Sequence, residues 1–287
     1  PGISGGLLGF PILEFNYVNL MPKNTTPRKH SAVEIIKTLG ARIEVSRQGK
    51  GRPVLVLHSE DAYETGSTLI DTLAKKREVI QFNMPGYGKS SLPKNLRTID
   101  DISYLYLDIL DQLELKKVTI LGFSVGAWLA AEMASKSCER IQKLVLTGAL
   151  GVKFGGPYVR DIEDIYYHPR EKVRELKFHD TNKDPDFDMT GYNTRQSLIV
   201  ARRREVIAKF CWDPYFHNPA LKTRLARISV PTLVVWGSND GLTRPKYGRA
   251  YAKHIDGARF TEIPRAGHYP HVEQPGAFQR KIEKFIA

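Results

Sequence analysis

Cysteine is scarce: Cys138 and Cys211 are the two in 287 residues. They form no metal-type spacing and no disulfide framework, which points to a reducing compartment and a cytoplasmic protein. No stretch of about 18 apolar residues occurs, so a membrane span is not expected. The first 21 residues are moderately apolar but lack a basic opening and are broken by Gly5, Gly6, Gly9 and Pro11, unlike a secretory leader. With no Met at position 1, a processed start is the expectation, and a targeting segment could have preceded it. Acidic residues are in deficit, 31 against 43 basic, for a net charge of +12. The basic residues are scattered, however, and no nucleic-acid module is recognisable; the densest run, Arg202-Arg203-Arg204, reads as a solvated helix face. No metal-ligand constellation, phosphate-cradling loop or dinucleotide fingerprint is present, so neither metal nor cofactor is expected. What remains is ordinary globular composition, 41% hydrophobic and 26% charged, with a small molecule as the expected partner.

The richest stretch is Gly122-Phe123-Ser124-Val125-Gly126. It joins a β-forming run, Val118-Thr119-Ile120-Leu121, to a helix-forming run that starts at Ala127. A serine on so tight a strand-to-helix turn has its hydroxyl pushed clear of the sheet, and the flanking glycines remove Cβ atoms that would collide there. The N–H groups opening the helix would face any negative charge developing above Ser124. Taken alone, the pentapeptide could equally be a glycine-rich turn. A nucleophilic serine needs a base, and the base a carboxylate to orient it.

Both are supplied downstream. Pro231–Gly237 reads as a buried strand and runs into Ser238-Asn239-Asp240-Gly241, which makes Asp240 the candidate acid. Ala258–Ile263 alternates as a strand and runs into Pro264-Arg265-Ala266-Gly267-His268, which makes His268 the candidate base. His271 competes as base; Asp213 and Asp256 compete as acids, although neither ends an expected sheet strand.

The order Ser, Asp, His along the chain, with these motifs, resembles the α/β-hydrolase superfamily, in the branch with a helical cap between the sixth and seventh strands. Val54-Leu55-Val56-Leu57-His58 is similar to the strand entering the family's oxyanion loop, and Val79–Ser90 to the loop after its next strand. Ser59 stands where relatives have glycine, and Asn83 where they have aspartate. The resemblance implies a triad of Ser124, His268 and Asp240. It also implies an oxyanion hole from the N–H of Val125 and a loop N–H, that of Glu60 with Ser59 as the alternative. His58 is then a brace for that loop.

Strands are expected near 43–48, 54–58, 79–83, 118–122, 143–147, 231–236 and 259–263, with helices at 66–77 and 99–114. Such alternation implies a mostly parallel twisted sheet flanked by helices. Ser31–Gly40 reads as a short amphipathic helix preceded by an arm. The division expected is 1–40 as arm and helix, 41–150 and 222–287 as the α/β core, and 151–221 as a helical cap insertion. Strand-like runs vanish in that insertion, where charged helical stretches, Pro169–Phe178 and Thr194–Phe210, flank a polar turn-rich run at 180–186.

Candidate substrate contacts are Phe123, Trp128, Trp212 and Tyr269, with packing as the alternative for each; the same choice applies to Tyr166, Tyr167, Phe210, Tyr215 and Phe216. The Glu60 side chain would lie beside the pocket. Serine at the elbow sets the chain apart from relatives that use aspartate there, and carboxylic-ester hydrolysis is the default reaction. Carbon–carbon hydrolases of ring-cleavage products come second, because they resemble a pattern with Asn where Phe123 stands. A non-catalytic ligand-binding protein on the same fold is the reading from a different class.

Overall fold

The computed structural model describes residues 31–287. The arm expected before Ser31 lies outside the described residues. The chain runs β1 (Ser31–Thr38), β2 (Ala41–Gln48), β3 (Pro53–Leu57), α1 (Thr68–Ala74), β4 (Glu78–Phe82), α2 (Ile99–Gln112), β5 (Val118–Phe123), α3 (Val125–Lys136) and β6 (Ile141–Thr147). It continues through α4 (Arg170–Lys177), α5 (Thr194–Cys211), α6 (Leu221–Arg224), β7 (Thr232–Gly237), α7 (Pro245–Lys253), β8 (Arg259–Ile263), α8 (Pro270–Glu273) and α9 (Pro275–Ile286).

The eight strands form one sheet in the order β1-β2-β4-β3-β5-β6-β7-β8. The pairs β1/β2 and β2/β4 are antiparallel and the rest parallel. Inner strands such as β5 and β7 are buried along their whole length, which is why they read as continuous apolar runs. Successive side chains still part to opposite faces. Val54, Val56, Leu121 and Val235 pack with Leu69 and Leu73 of α1 and Phe278 and Ile282 of α9. Leu55, Leu57, Ile120 and Val234 pack with the ridges of α2 and α3 on the other face. Thr98 and Asp101 close a capping box that starts α2 at the point where its apolar spacing begins.

Ser31–Thr38 is a strand and not the expected helix. Four of its eight residues, Val33, Ile35, Ile36 and Thr38, are β-branched. Leu39 and Gly40, with φ of 48° and 74°, form a two-residue turn that folds it back onto β2. Among the described residues the sheet therefore begins at Ser31.

Between β6 and β7 the described chain holds helices only, α4, α5 and α6 with short 3₁₀ turns. Its two ends are pinned together: Gly151 N–H donates to Phe216 O and Asn218 N–H to Gly151 O, both at 3.0 Å. No described helix is long and apolar enough to cross a membrane.

Candidate active site

Ser124 sits between the last residue of β5 and the first of α3 with φ 50° and ψ −113°, a conformation that costs a non-glycine residue free energy and is held by its surroundings. Its N–H donates to Thr147 O at 2.9 Å. A Cβ on Gly126 would strike the carbonyls of Leu57 and His58, and one on Gly122 would strike the Ala127 backbone. Glycine on both sides is thus a steric condition for the turn.

Asp240 and His268 follow β7 and β8, so all three side chains gather at the carboxyl ends of parallel strands. His268 Nε2 lies 2.7 Å from Ser124 Oγ, and His268 Nδ1 lies 2.8 Å from Asp240 Oδ2. Leu242 and Thr243 N–H groups donate to Asp240 Oδ1, both at 3.0 Å, and the Thr243 hydroxyl donates to Oδ2 at 3.1 Å. The carboxylate only accepts, so Nδ1 carries the proton and Nε2 is left to accept from the serine hydroxyl. Ser124 and His268 are each 1% exposed and Asp240 is 3% exposed. Burial alone disfavours imidazolium, yet the Asp240 carboxylate outweighs it and raises the His268 pKa above the ordinary histidine value.

The loop after β3 is clamped from several sides. Met84 N–H donates to His58 Nε2 at 3.0 Å, while His58 Nδ1 lies 2.7 Å from Ser59 O. The Tyr87 hydroxyl donates to Glu60 O at 2.7 Å. Ser59 spends both its donors on Glu64 Oε2, the N–H at 2.9 Å and the hydroxyl at 3.0 Å. That removes Ser59 as an oxyanion donor and leaves the Glu60 and Val125 N–H groups as the candidates. On its other oxygen, Glu64 Oε1 lies 2.9 Å from His271 Nε2. His271 therefore supports this loop, and the ring that bonds Ser124 is that of His268. Asn83 donates to Glu44 Oε2 at 2.8 Å, a bond that organises the neighbouring turn.

Beside His268, on the side of Tyr269, lies a largely buried charge cluster. Lys177 Nζ, at the last residue of α4, is 2.9 Å from Glu60 Oε1 and 2.6 Å from Asp61 Oδ2. The Tyr269 hydroxyl reaches the same two oxygens, at 2.8 and 2.6 Å. Burial opposes ionisation of Glu60, but Lys177, then His268 and the Ser124 hydroxyl, hold its pKa well below the usual carboxylate range. Glu60, Asp61 and Lys177 also line a cavity of about 100 Å³ whose far wall includes Tyr166, Arg203 and Ile207.

Residues 52–275 match the family described as "alpha/beta hydrolase fold". The chain belongs to that family. It is 28% identical over 281 residues to a 2-hydroxy-6-oxononadienedioate/2-hydroxy-6-oxononatrienedioate hydrolase of Escherichia coli, an alignment covering 91% of this chain and 96% of the relative. Among solved structures, a membrane phospholipase A described as a bacterial virulence factor superposes with a TM-score of 0.74 at 18% identity, covering 89% of this chain and 86% of that one. A meta-cleavage product hydrolase of Pseudomonas fluorescens superposes with a TM-score of 0.68 at 23% identity, covering 88% and 97%. Identities this low speak for the fold alone.

The candidate pocket residues of the hydrolase divide. Tyr269 is 1% exposed and bonds the cluster beside Ser124. The Phe123 ring turns the other way, 4.5 Å from the His271 ring and 5.8 Å from that of Phe278. Trp128 is buried against Gly151 and donates to Glu132 Oε1 at 3.1 Å, in the packing of α3. Trp212 stands at the end of α5, 60% exposed. These three do not line the cavity, because a helix or strand neighbour in sequence need not point toward the same space. Tyr166 does line it, whereas Tyr167 is exposed and Phe216 belongs to the core. Asp213 and Asp256 are exposed.

Sequence reasoning misses Lys177 and Asp61. Lys177 sits in a charged helix that reads as solvated, and only its four-residue spacing from the cavity-lining Val173 puts both on one face. Arg203 belongs to a run that also reads as solvated, but its guanidinium donates to Asp61 O at 2.7 Å.

Proposed function

We propose that this alpha/beta hydrolase cleaves an ester or related acyl bond of a small molecule through an acyl-enzyme on Ser124. The observation that carries this reading is the unbroken buried chain from Ser124 Oγ through His268 to Asp240. As Ser124 Oγ attacks the carbonyl carbon, its proton passes to His268 Nε2, and Asp240 holds the imidazole in register and balances its new charge. The tetrahedral oxyanion is stabilised by the N–H groups of Val125 and Glu60. His268 then gives its proton to the leaving alcohol. Water attacks the acyl-enzyme with His268 again as base, and the acid is released.

The segment from Gly151 to Leu221 acts as a cap that selects acyl groups, since it supplies most of the wall of the cavity that opens from Glu60 of the oxyanion loop. No cofactor enters the scheme. The unbonded thiols of Cys138 and Cys211 fit a reducing, cytoplasmic setting.

Carbon–carbon hydrolysis is the second reading, favoured by the dienedioate hydrolase relatives. Phe123 does not argue strongly against it, because its ring lies away from the cavity. The test is a fluorophosphonate probe together with p-nitrophenyl esters of graded length and a 2-hydroxy-6-oxo-dienoate. Labelling of Ser124 with ester turnover supports the first reading. Turnover of the dienoate alone moves the assignment to the second, and no labelling with no turnover favours a binding protein.

A further inference from the structure

Glu60 is only partly satisfied. Its Oε1 takes both Lys177 and Tyr269, but Oε2 is buried with no hydrogen-bond partner. A carboxylate oxygen out of water without a donor is costly, and the cost is offset by whatever donor a ligand brings. The loop gives the side chain little freedom, since Tyr87 holds its carbonyl and Lys177 its carboxylate. Tyr269, which bonds Oε1, follows His268 in the chain, and its ring lies 5.1 Å from the imidazole that bonds Ser124, so a donor meeting this carboxylate stands on the reacting side of the site.

The bonding around the two carboxylates points the same way. Two carboxylates, Glu60 and Asp61, share a single ammonium, Lys177. The other cations of the cavity wall bond elsewhere: Arg174 to Asp184, Arg170 to the Asp186 carbonyl, Arg203 to the Asp61 carbonyl, and Arg204 stacks over the Tyr166 ring. Lys177 on Oε1 tempers the repulsion between Glu60 and the developing oxyanion, while Oε2 keeps its acceptor strength. A group that meets Oε2 must bring a proton to share: a hydroxyl or ammonium is matched there, and a bare anion is not.

Resting on the acyl-hydrolase reading above, we infer that Glu60 Oε2 accepts a hydrogen bond from a donor on the carbon next to the scissile carbonyl. This makes the enzyme selective for 2-hydroxyacyl or 2-aminoacyl substrates. Glu60 is then a specificity-determining residue, and Lys177 sets its strength.

The experiment compares kcat/KM for the methyl esters of propionic acid, lactic acid and alanine, each divided by its rate of hydroxide hydrolysis. The lactate or alanine ester should exceed the propionate ester by roughly ten- to a hundredfold, the range of a hydrogen bond to a charged group. The better of the two identifies the donor as hydroxyl or ammonium. Glu60→Gln should collapse the alanine advantage most, because the amide keeps an acceptor but loses the charge. Lys177→Met should raise the alanine ester relative to the lactate ester, and it carries the test if Glu60→Gln does not fold by thermal melting. Three esters within twofold of one another, while the fluorophosphonate probe still labels Ser124, would overturn the inference and leave the nucleophile standing. The inference also falls if a water on Oε2 serves all substrates alike, seen as ratios unchanged in Glu60→Gln. Failure of labelling and of all ester turnover takes down the reading beneath it.

Discussion

The two walls of this active site are built by different means. On the sheet side, Ser124, Asp240 and His268 are held by backbone: strand register, a strained turn and N–H groups aimed at a carboxylate. On the helical side, Lys177 reaches the site on a long side chain from the end of α4, and its position depends on partners in another part of the chain. The two walls meet in the backbone of α4's last residues, whose carbonyls have no helical partner. Leu176 O accepts from Gly241 N–H at 2.9 Å and Lys177 O from His268 N–H at 2.7 Å, so the helix that brings the ammonium also steadies the acid and base loops. In the function we propose, chemistry is set by the stiff wall and selectivity by the one made of side chains.

The sharpest way to break that division is at the nucleophile. Ser124→Ala should lower kcat by on the order of 10⁴ to 10⁶ with the fold kept, and His268→Ala should add little more in the double variant, because the two act as a unit. A double variant much worse than either single one would separate them.

A smaller but more informative change is in the acid. Asp240→Asn should cost on the order of 10⁴ in kcat, since the imidazole loses its orienting acceptor. The pH profile checks the electrostatics behind it. His268 must be neutral to act as base, and its pKa is raised, so kcat/KM of the native enzyme should fall as pH drops through a value above the ordinary 6.5. In Asp240→Asn the raising charge is gone, and the acidic limb of the residual activity should move to lower pH. A limb that stays in place would assign the pH dependence to another group.

His271→Ala tests whether support can be told from chemistry. It removes the imidazole 2.9 Å from buried Glu64 Oε1, which should cost about 1–3 kcal/mol in unfolding free energy. Turnover per probe-labelled serine should stay within a few-fold of native. Loss of turnover without loss of stability would make His271 the base.

The smallest effect is expected at Trp212, which is 60% exposed. Trp212→Ala should leave acyl-length preference unchanged, whereas Ile207→Ala, on the cavity wall, should shift it toward longer chains. The reverse outcome would mean that acyl groups bind outside the cavity beneath Ile207.

The sequence by itself determined the alternation of strands and helices, the elbow around Ser124 and the loops that carry Asp240 and His268, because local pattern and turn sterics fix each of these within a few residues. It misleads at Ser31–Gly40, where both periodicities are available and only pairing with β2 selects the strand. It could not decide which way Phe123, Trp128 and Trp212 point, nor that Ser59 gives its N–H to Glu64, nor that Lys177 from one segment meets Glu60 and Asp61 from another. Except for Ser59 and Glu64, five residues apart in an irregular loop, those are contacts between residues far apart in the chain, and no periodicity encodes a partner a hundred residues away. Tertiary packing alone turned a loop acid and a helix lysine into one cluster beside His268.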